Sequence, residues 1–281
     1  MNKIYEKVTN RIIEQLQKGV VPWQKMYDTG GLPINWKTGR YYRGINTLLL
    51  EAGEYATFKQ ISEAGGKVKK GERGHLVVFW KIVEKEDEND ELVRIPILKK
   101  YVVFEINTQV EGLKSKRSIK VNTNEAQSKP HTVTERYMDS QHIKLRNTLG
   151  SPCYIPSLDE VKMPPLKFYD NSSAYYKTLM HELVHSTGHK SRLKRDGVVG
   201  KINFGSDTYS KEELIAEIGA AMLASHTELT EVNIENSASY IDNWLTVLKG
   251  DSTFVVKAAQ LAQKAVDYIL DEGRGEDICM D

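Results

Sequence analysis

The sequence predicts an α+β chain in two parts, a mixed first part over residues 1–112 and a mostly helical second part over residues 133–281. Three observations lead there. Runs with strand character concentrate between Lys67 and Asn107, and helical periodicity dominates after Val133. A polar stretch without periodicity, residues 113–132, stands between them as a linker. At 281 residues the chain is long enough for two domains, each with its own core. A net charge of +1 and a 40% hydrophobic fraction describe an ordinary soluble protein. No apolar run reaches the ~18 residues that a membrane span requires. The start, Met1-Asn2-Lys3, leads into a polar amphipathic pattern without an apolar leader. Cys153 and Cys279 form neither a Cys-x-x-Cys site nor a disulfide framework. The expected location is the cytoplasm.

Taken in order, Ile4, Val8, Ile12, Ile13 and Leu16 recur at helical spacing, and Gly19 closes a helix over 3–19. Val20 to Lys25 reads as extended and carries Trp23. A Gly-Gly-Leu-Pro loop (30–33) follows, and short helices are predicted at 45–52 and 57–64. Lys67 to Lys85 reads as two strands around the loop 70–74, with Leu76 to Trp80 buried on both faces. Residues 86–91 form a polar hairpin tip, and 93–107 return as a strand. The second part opens with a helix from 133 to about 149, then an extended pair over Tyr154 to Pro165. The basic run 190–195 reads as a turn. Two closing helices are predicted at 234–248 and 253–271, with apolar faces suited to packing.

The chemistry centres on His181-Glu182-Leu183-Val184-His185. On a helix, residues four apart share a face, so His181 and His185 can offer ring nitrogens to one metal ion. Glu182 is placed to act on a water at that ion as general base. Tyr175, Leu179, Leu183 and Val184 give the helix a face apolar enough to be buried, with cap candidates at Asn171 to Ser173 and at Gly188. A catalytic zinc usually takes three protein ligands and keeps one open position. The third His of the long metzincin pattern is missing, because Ser191 occupies its place and His189 stands two residues early. A carboxylate on a second helix is the alternative. Over 211–222, Glu213, Ala216, Glu217 and Ala220 share a face, which would place a ligand and a partner for a ligating His there. Glu212 points about 100° away and reads as surface.

Charge is uneven in the first part: residues 1–82 hold 14 Lys/Arg against 7 Asp/Glu. Cations alternate with rings at Trp23/Lys25, Trp36/Lys37, Arg40/Tyr41/Tyr42/Arg43 and Trp80/Lys81. That pattern suits single-stranded nucleic acid, where cations follow phosphates and rings stack on unpaired bases. The expected surface comprises Trp36, Lys37, Arg40, Tyr41, Tyr42, Arg43, Lys67, Lys69, Lys70 and Arg73.

The chain resembles the ArdC-type antirestriction proteins of plasmids and mobile elements. The matching stretches are Pro22-Trp23, Tyr42 to Asn46, Val68 to Glu72 and Val103 to Ile106, then Tyr154 to Pro164, His181 to His189, Arg192-Leu193 and Glu213 to Ala221. The resemblance implies a single-stranded-DNA-binding domain over 1–112 and a zincin-like metallopeptidase domain over 133–281. It also implies one Zn2+ per chain, held by His181, His185 and Glu213, with Glu217 beside His181. An unknown protein substrate would then be cut with Glu182 as the base. The alternative is a non-catalytic protective protein that coats single-stranded DNA and uses zinc only as a brace.

Overall fold

A computed structural model describes residues 3–28, 31–86, 92–116, 128–200, 206–229 and 238–271. The chain begins with the amphipathic helix α1 (Lys3–Gln17) and the single turn α2 (Lys25–Asp28). The first part then alternates short elements: β1 (Ile34–Asn35), α3 (Asn46–Leu49), β2 (Glu54–Thr57), α4 (Phe58–Glu63) and β3 (Lys67–Val68). The long hairpin β4 (His75–Glu86) and β5 (Leu92–Glu105) follows, then α5 (Ile106–Gln109) and β6 (Val110–Glu111). β1, β2, β5 and β4 lie side by side in that order, parallel at β1/β2 and antiparallel elsewhere, while β3 pairs antiparallel with β6. Within the first hairpin strand Val77 and Val78 are buried, whereas Leu76, Phe79 and Trp80 are only half-buried. Of the hairpin tip predicted at 86–91, Glu86 ends β4 and residues 87–91 lie outside the described residues.

The second part opens with α6 (Ser128–Gln141) and a three-stranded sheet, β7 (Lys144–Asn147), β8 (Cys153–Ile155) and β9 (Glu160–Met163). The central strand is β9, parallel to β7 and antiparallel to β8. A 3-10 turn at Leu166–Phe168 leads into α7 (Ser172–Thr187), α8 (Asp196–Val199), α9 (Asp207–His226), α10 (Ala238–Gly250) and α11 (Phe254–Leu270). Two expectations change here. The helix predicted for 133–149 starts at Ser128 and stops at Gln141, because His142 takes a left-handed φ of 55° and the chain turns into β7. β7 pairs with a strand 16 residues later in register, and local periodicity does not report such a partner.

The linker and the independent cores also differ from expectation. Residues 128–132 are helical, and 113–116 are clamped to the first part: both carboxylate oxygens of Glu54 accept from Lys116 N, at 2.9 and 3.2 Å. Residues 117–127 lie outside the described residues. One apolar cluster runs across both parts, from Val8, Ile12, Leu16, Trp23 and Tyr27 to Leu183, Ala216, Trp244 and Val255. The Trp23 and Trp244 rings meet edge-on at 4.9 Å. Arg43 pairs with Asp267, and Gly44 N donates to Gln263 Oε1 at 3.0 Å. The physical reason is the size of the first sheet. Its own clusters (Tyr42, Leu50, Tyr55, Val77 and Val103; Ala56, Ile61, Ile106 and Val110) leave the apolar stripe of α1 to pack on α10 and α11.

This shared core gives a direct expectation. Trp244→Ala should lower stability by about 3–5 kcal/mol and shift one unfolding transition of the whole chain in urea, followed by circular dichroism. Two transitions of which only one moves would mean that the parts fold separately.

Candidate metal centre

Helix α7 is set by its ends and its buried stripe. Asn171 caps it, its side chain accepting from Ala174 N at 2.8 Å. At the other end Gly188 keeps a right-handed φ of −75°, so glycine is not required there by a left-handed turn. It is required by packing: a Cβ at Gly188 would lie 2.5 Å from the Val198 side chain. Tyr175, Leu179, Leu183 and Val184 are buried as the sequence predicts. Helix α9 crosses α7 closely because Gly219 faces Val184, where a Cβ would approach to 2.9 Å.

That approach brings three donors together. His181 Nε2 and His185 Nε2 are 3.1 Å apart. Glu213 puts Oε2 at 3.4 Å from His181 Nε2 and Oε1 at 3.5 Å from His185 Nε2. An ion with bonds of about 2.1 Å in tetrahedral geometry separates its donors by ~3.4 Å. The donor set therefore fits a divalent ion in spacing as well as in type, and these three form the candidate metal cluster among the described residues.

Behind the donors, each imidazole is held from its other nitrogen. His181 Nδ1 lies 3.2 Å from Glu217 Oε1, and His185 Nδ1 lies 3.2 Å from Glu212 Oε1. Nδ1–H donated to a carboxylate leaves Nε2 with its lone pair forward, the tautomer that a metal needs. Glu212 is thus a correction to the expected surface residue, being 4% exposed. Arg195, from the run read as a basic turn, donates to both Glu212 oxygens and to Val184 O and Thr187 Oγ1. Breaking a buried pair of this kind costs about 3–5 kcal/mol, because one charge is left without compensation. Arg192 of the same run is buried too, bonded to Asp159, Tyr154 Oη and Ser186 O. This ties the β8–β9 turn to the end of α7. The one sequence signal for these anchors was the Glu212-Glu213 doublet inside an apolar helix.

Glu182 is buried at 7% exposure on the side of α7 that faces β8, and its charge acts on Cys153 and on Tyr169. His189 turns back on Ser191, 2.7 Å from its hydroxyl, and is not among the donors. Burial alone would lower the pKa of both imidazoles. Hydrogen bonds donated to Glu213 and Glu217 instead hold His181 well above its usual range, and those to Glu212 and Glu213 lift His185 to about 9. The same bonds hold Glu212, Glu213 and Glu217 below the usual carboxylate range against their burial.

The predicted nucleic-acid residues divide. Lys37, Arg40, Tyr41, Lys67, Lys70 and Arg73 are exposed, Lys37 sharing an ion pair with Glu63 at 2.9 Å. Lys69 is half-buried and donates to Thr108 O. Trp36 is half-buried, with the Lys116 ammonium 4.0 Å from its ring centre. Two residues drop out. Tyr42 is 3% exposed inside the sheet core, and Arg43 is committed to Asp267. Trp23 is likewise core and Trp80 half-buried.

Comparison with known proteins finds a family match in each part. Residues 2–104 match the N-terminal domain of the anti-restriction factor ArdC, and residues 132–261 match a zincin-like metallopeptidase domain. The crystal structure of the antirestriction protein ArdC from the R388 plasmid is 34% identical, superimposes with a TM-score of 0.75, and is covered over 96% of its length by 95% of this chain. The chain belongs to the ArdC antirestriction family. An Mn(II)-bound structure of the same R388 protein matches at 33% identity with the same TM-score over 97% of its length. An uncharacterized protein, y4eC, of Sinorhizobium fredii is 32% identical over 95% of this chain and 91% of its own. Two Escherichia coli proteins called DNA primase TraC are 33% and 30% identical, and the chain spans only 20% and 27% of their lengths. Among the described residues, no helix is long and apolar enough to cross a membrane.

The charges predict opposite pH responses with and without metal. Raised imidazole pKa values stabilise the metal-free fold fully below about 6.5, and that contribution is lost as pH rises through about 9 for His185. The lowered carboxylates stabilise it above about 4.5 and lose their effect as pH falls further. The thermal midpoint of the metal-free chain should therefore drop between pH 6.5 and 9, while divalent-metal affinity rises over the same interval as protons leave the ligands. A midpoint that stays flat across that interval would contradict the ion-paired site.

Proposed function

We propose that this chain is an antirestriction protein that binds single-stranded DNA and carries a zinc-dependent peptidase centre. The observation that carries the centre is the convergence of His181, His185 and Glu213 at tetrahedral donor spacings, with both imidazoles anchored from behind. These three residues would hold one Zn2+, and the Mn(II)-bound form of the R388 protein supports a divalent ion there. When bound, the ion supplies a Lewis acid that polarises a water and a peptide carbonyl. Glu182 would serve as the base that takes a proton from a water in the site and returns it to the leaving amine. Glu217 and Glu212 fix the ring orientations of His181 and His185. Glu213 supplies the anionic donor. The strand β8 is an edge strand of its sheet and packs beside α7, a position that would suit strand addition by an extended peptide. The protein substrate would be one brought to, or carried on, the bound strand.

For the DNA, the first part is taken as residues 1–112, with Arg40, Lys67, Lys70 and Arg73 as phosphate contacts and Tyr41, 51% exposed, as a stacking face. Lys37, Lys69 and Trp36 would join once their present partners are exchanged for the strand. The shared core makes this surface a property of the whole chain rather than of a detachable module. The chain's location is taken as the cytoplasm, where incoming plasmid DNA is met.

Glu182→Gln should retain zinc at the wild-type ratio, measured by metal analysis, bind single-stranded DNA as the wild type does, and lose all cleavage of a protein substrate in cell extract. Equal cleavage by both proteins, or none by the wild type, would instead favour the reading in which zinc only braces a DNA-protecting protein.

On single-stranded oligonucleotides across a salt series, Lys70→Ala should lower affinity and reduce the slope of log affinity against log salt by about 0.7. Tyr41→Ala should cost about 1–3 kcal/mol and leave the slope unchanged. A flat salt dependence of the wild type, or equal affinity for duplex, would count against a single-strand surface.

A further inference from the structure

The anchor of His181 has a loose end. Glu217 Oε1 holds the ring at 3.2 Å, but the other oxygen, Oε2, is buried without a hydrogen-bond partner among the described residues. A second buried polar atom is in the same condition: the hydroxyl of Tyr27, whose side chain is 0% exposed. Tyr27 belongs to α2, which packs on α9, the helix that carries Glu213 and Glu217. The third member is Lys177, one turn before His181 on α7, with its ammonium 5.8 Å from the centre of the Tyr27 ring. These groups feel one another. Burial and the nearby Glu217 carboxylate both push the Tyr27 hydroxyl well above its ordinary pKa. Burial lowers that of Lys177, and Glu217 opposes the shift. A buried carboxylate oxygen and a buried hydroxyl are costly to leave unpaired, and one buried water accepting from the hydroxyl and donating to the carboxylate satisfies both.

We infer that Tyr27 is a positioning residue of the metal centre: its hydroxyl holds the outer oxygen of Glu217, and Glu217 in turn holds the His181 ring toward the ion. The inference rests on the metal reading above and extends it, because Tyr27 lies in the stretch matched to the ArdC N-terminal domain while the ligands lie in the zincin-like stretch. The first part of the chain then contributes a group to the centre of the second. Anything that shifts α2 would be transmitted through Glu217 to a ligand.

The test uses the whole chain and zinc alone, with affinity measured by competition against a chromogenic chelator and the metal-free thermal midpoint as the control for folding. Tyr27→Phe should weaken zinc binding by about tenfold, the lower end of effects from residues behind a ligand. Its metal-free midpoint should fall only slightly, since phenylalanine keeps the ring packing and only the outer oxygen of Glu217 loses its partner. Glu217→Gln should also weaken binding, and the double variant should be no weaker than Glu217→Gln by itself, as two changes in one chain of contacts are not additive. Unchanged zinc affinity in Tyr27→Phe, or losses that add in the double variant, would overturn the inference and leave the metal reading intact. A wild type that takes up no zinc would overturn both.

Discussion

The structure depends on one close crossing, that of α7 and α9. Each helix carries half of a charged site, and neither half is stable in an apolar setting without the other. The two histidines of α7 would lose protons on burial, and the three glutamates of α9 would gain them. Facing each other they do neither, since every imidazole nitrogen meets a carboxylate or the second imidazole. Gly219 against Val184 sets the separation, and the buried Arg195 completes the charge balance from the following turn. The arrangement is a preformed ligand set whose protons an ion can replace.

The second dependence is between the two family-matched stretches. An amphipathic helix at the start of the chain, and the tryptophan after it, find their apolar partners at the end of the chain on α10 and α11. The Tyr42 to Asn46 stretch serves this join. Tyr42 fills the sheet core, Arg43 and Gly44 reach α11, and Asn46 pairs with the backbone of Val78 in both directions. A block of residues that looks like a basic, aromatic surface is therefore mostly internal scaffolding. The cations left on the surface are those of the neighbouring turns.

How much of the site was readable follows from the range of each interaction. His181 and His185 are four apart on one helix, so their shared face is a property of helical geometry alone. Glu213 and Glu217 stand out for a related reason: acids on an apolar helix face demand a partner, even when the partner is unknown. Glu212 could not be read the same way. Its direction on the helix was correct, but whether that direction meets water depends on the Arg195 turn folding back over it, so closely that a Cβ at Gly197 would lie 2.7 Å from the Glu212 Cβ. Strand β7 and the helical start of α6 were missed for a comparable reason, since a strand of four residues is defined by its neighbour more than by its composition.

The sequence by itself determined the fold class, the helix of the two histidines with its N-cap, the carboxylate-bearing second helix and the family. These are set by local spacing and by residue type, which act within a turn or two of the chain. Only the tertiary structure decided which charges are buried anchors and which are free. It moved Arg195, Glu212, Tyr42 and the Arg192 side chain from the surface to the interior and tied Arg43 to Asp267. It also joined the two parts through one large shared core, beside the two smaller clusters of the first sheet. The physical reason is that burial is a property of what covers a residue, and here the covering groups stand beyond the reach of local periodicity, from Arg195 over Glu212 to Asp267 beside Arg43.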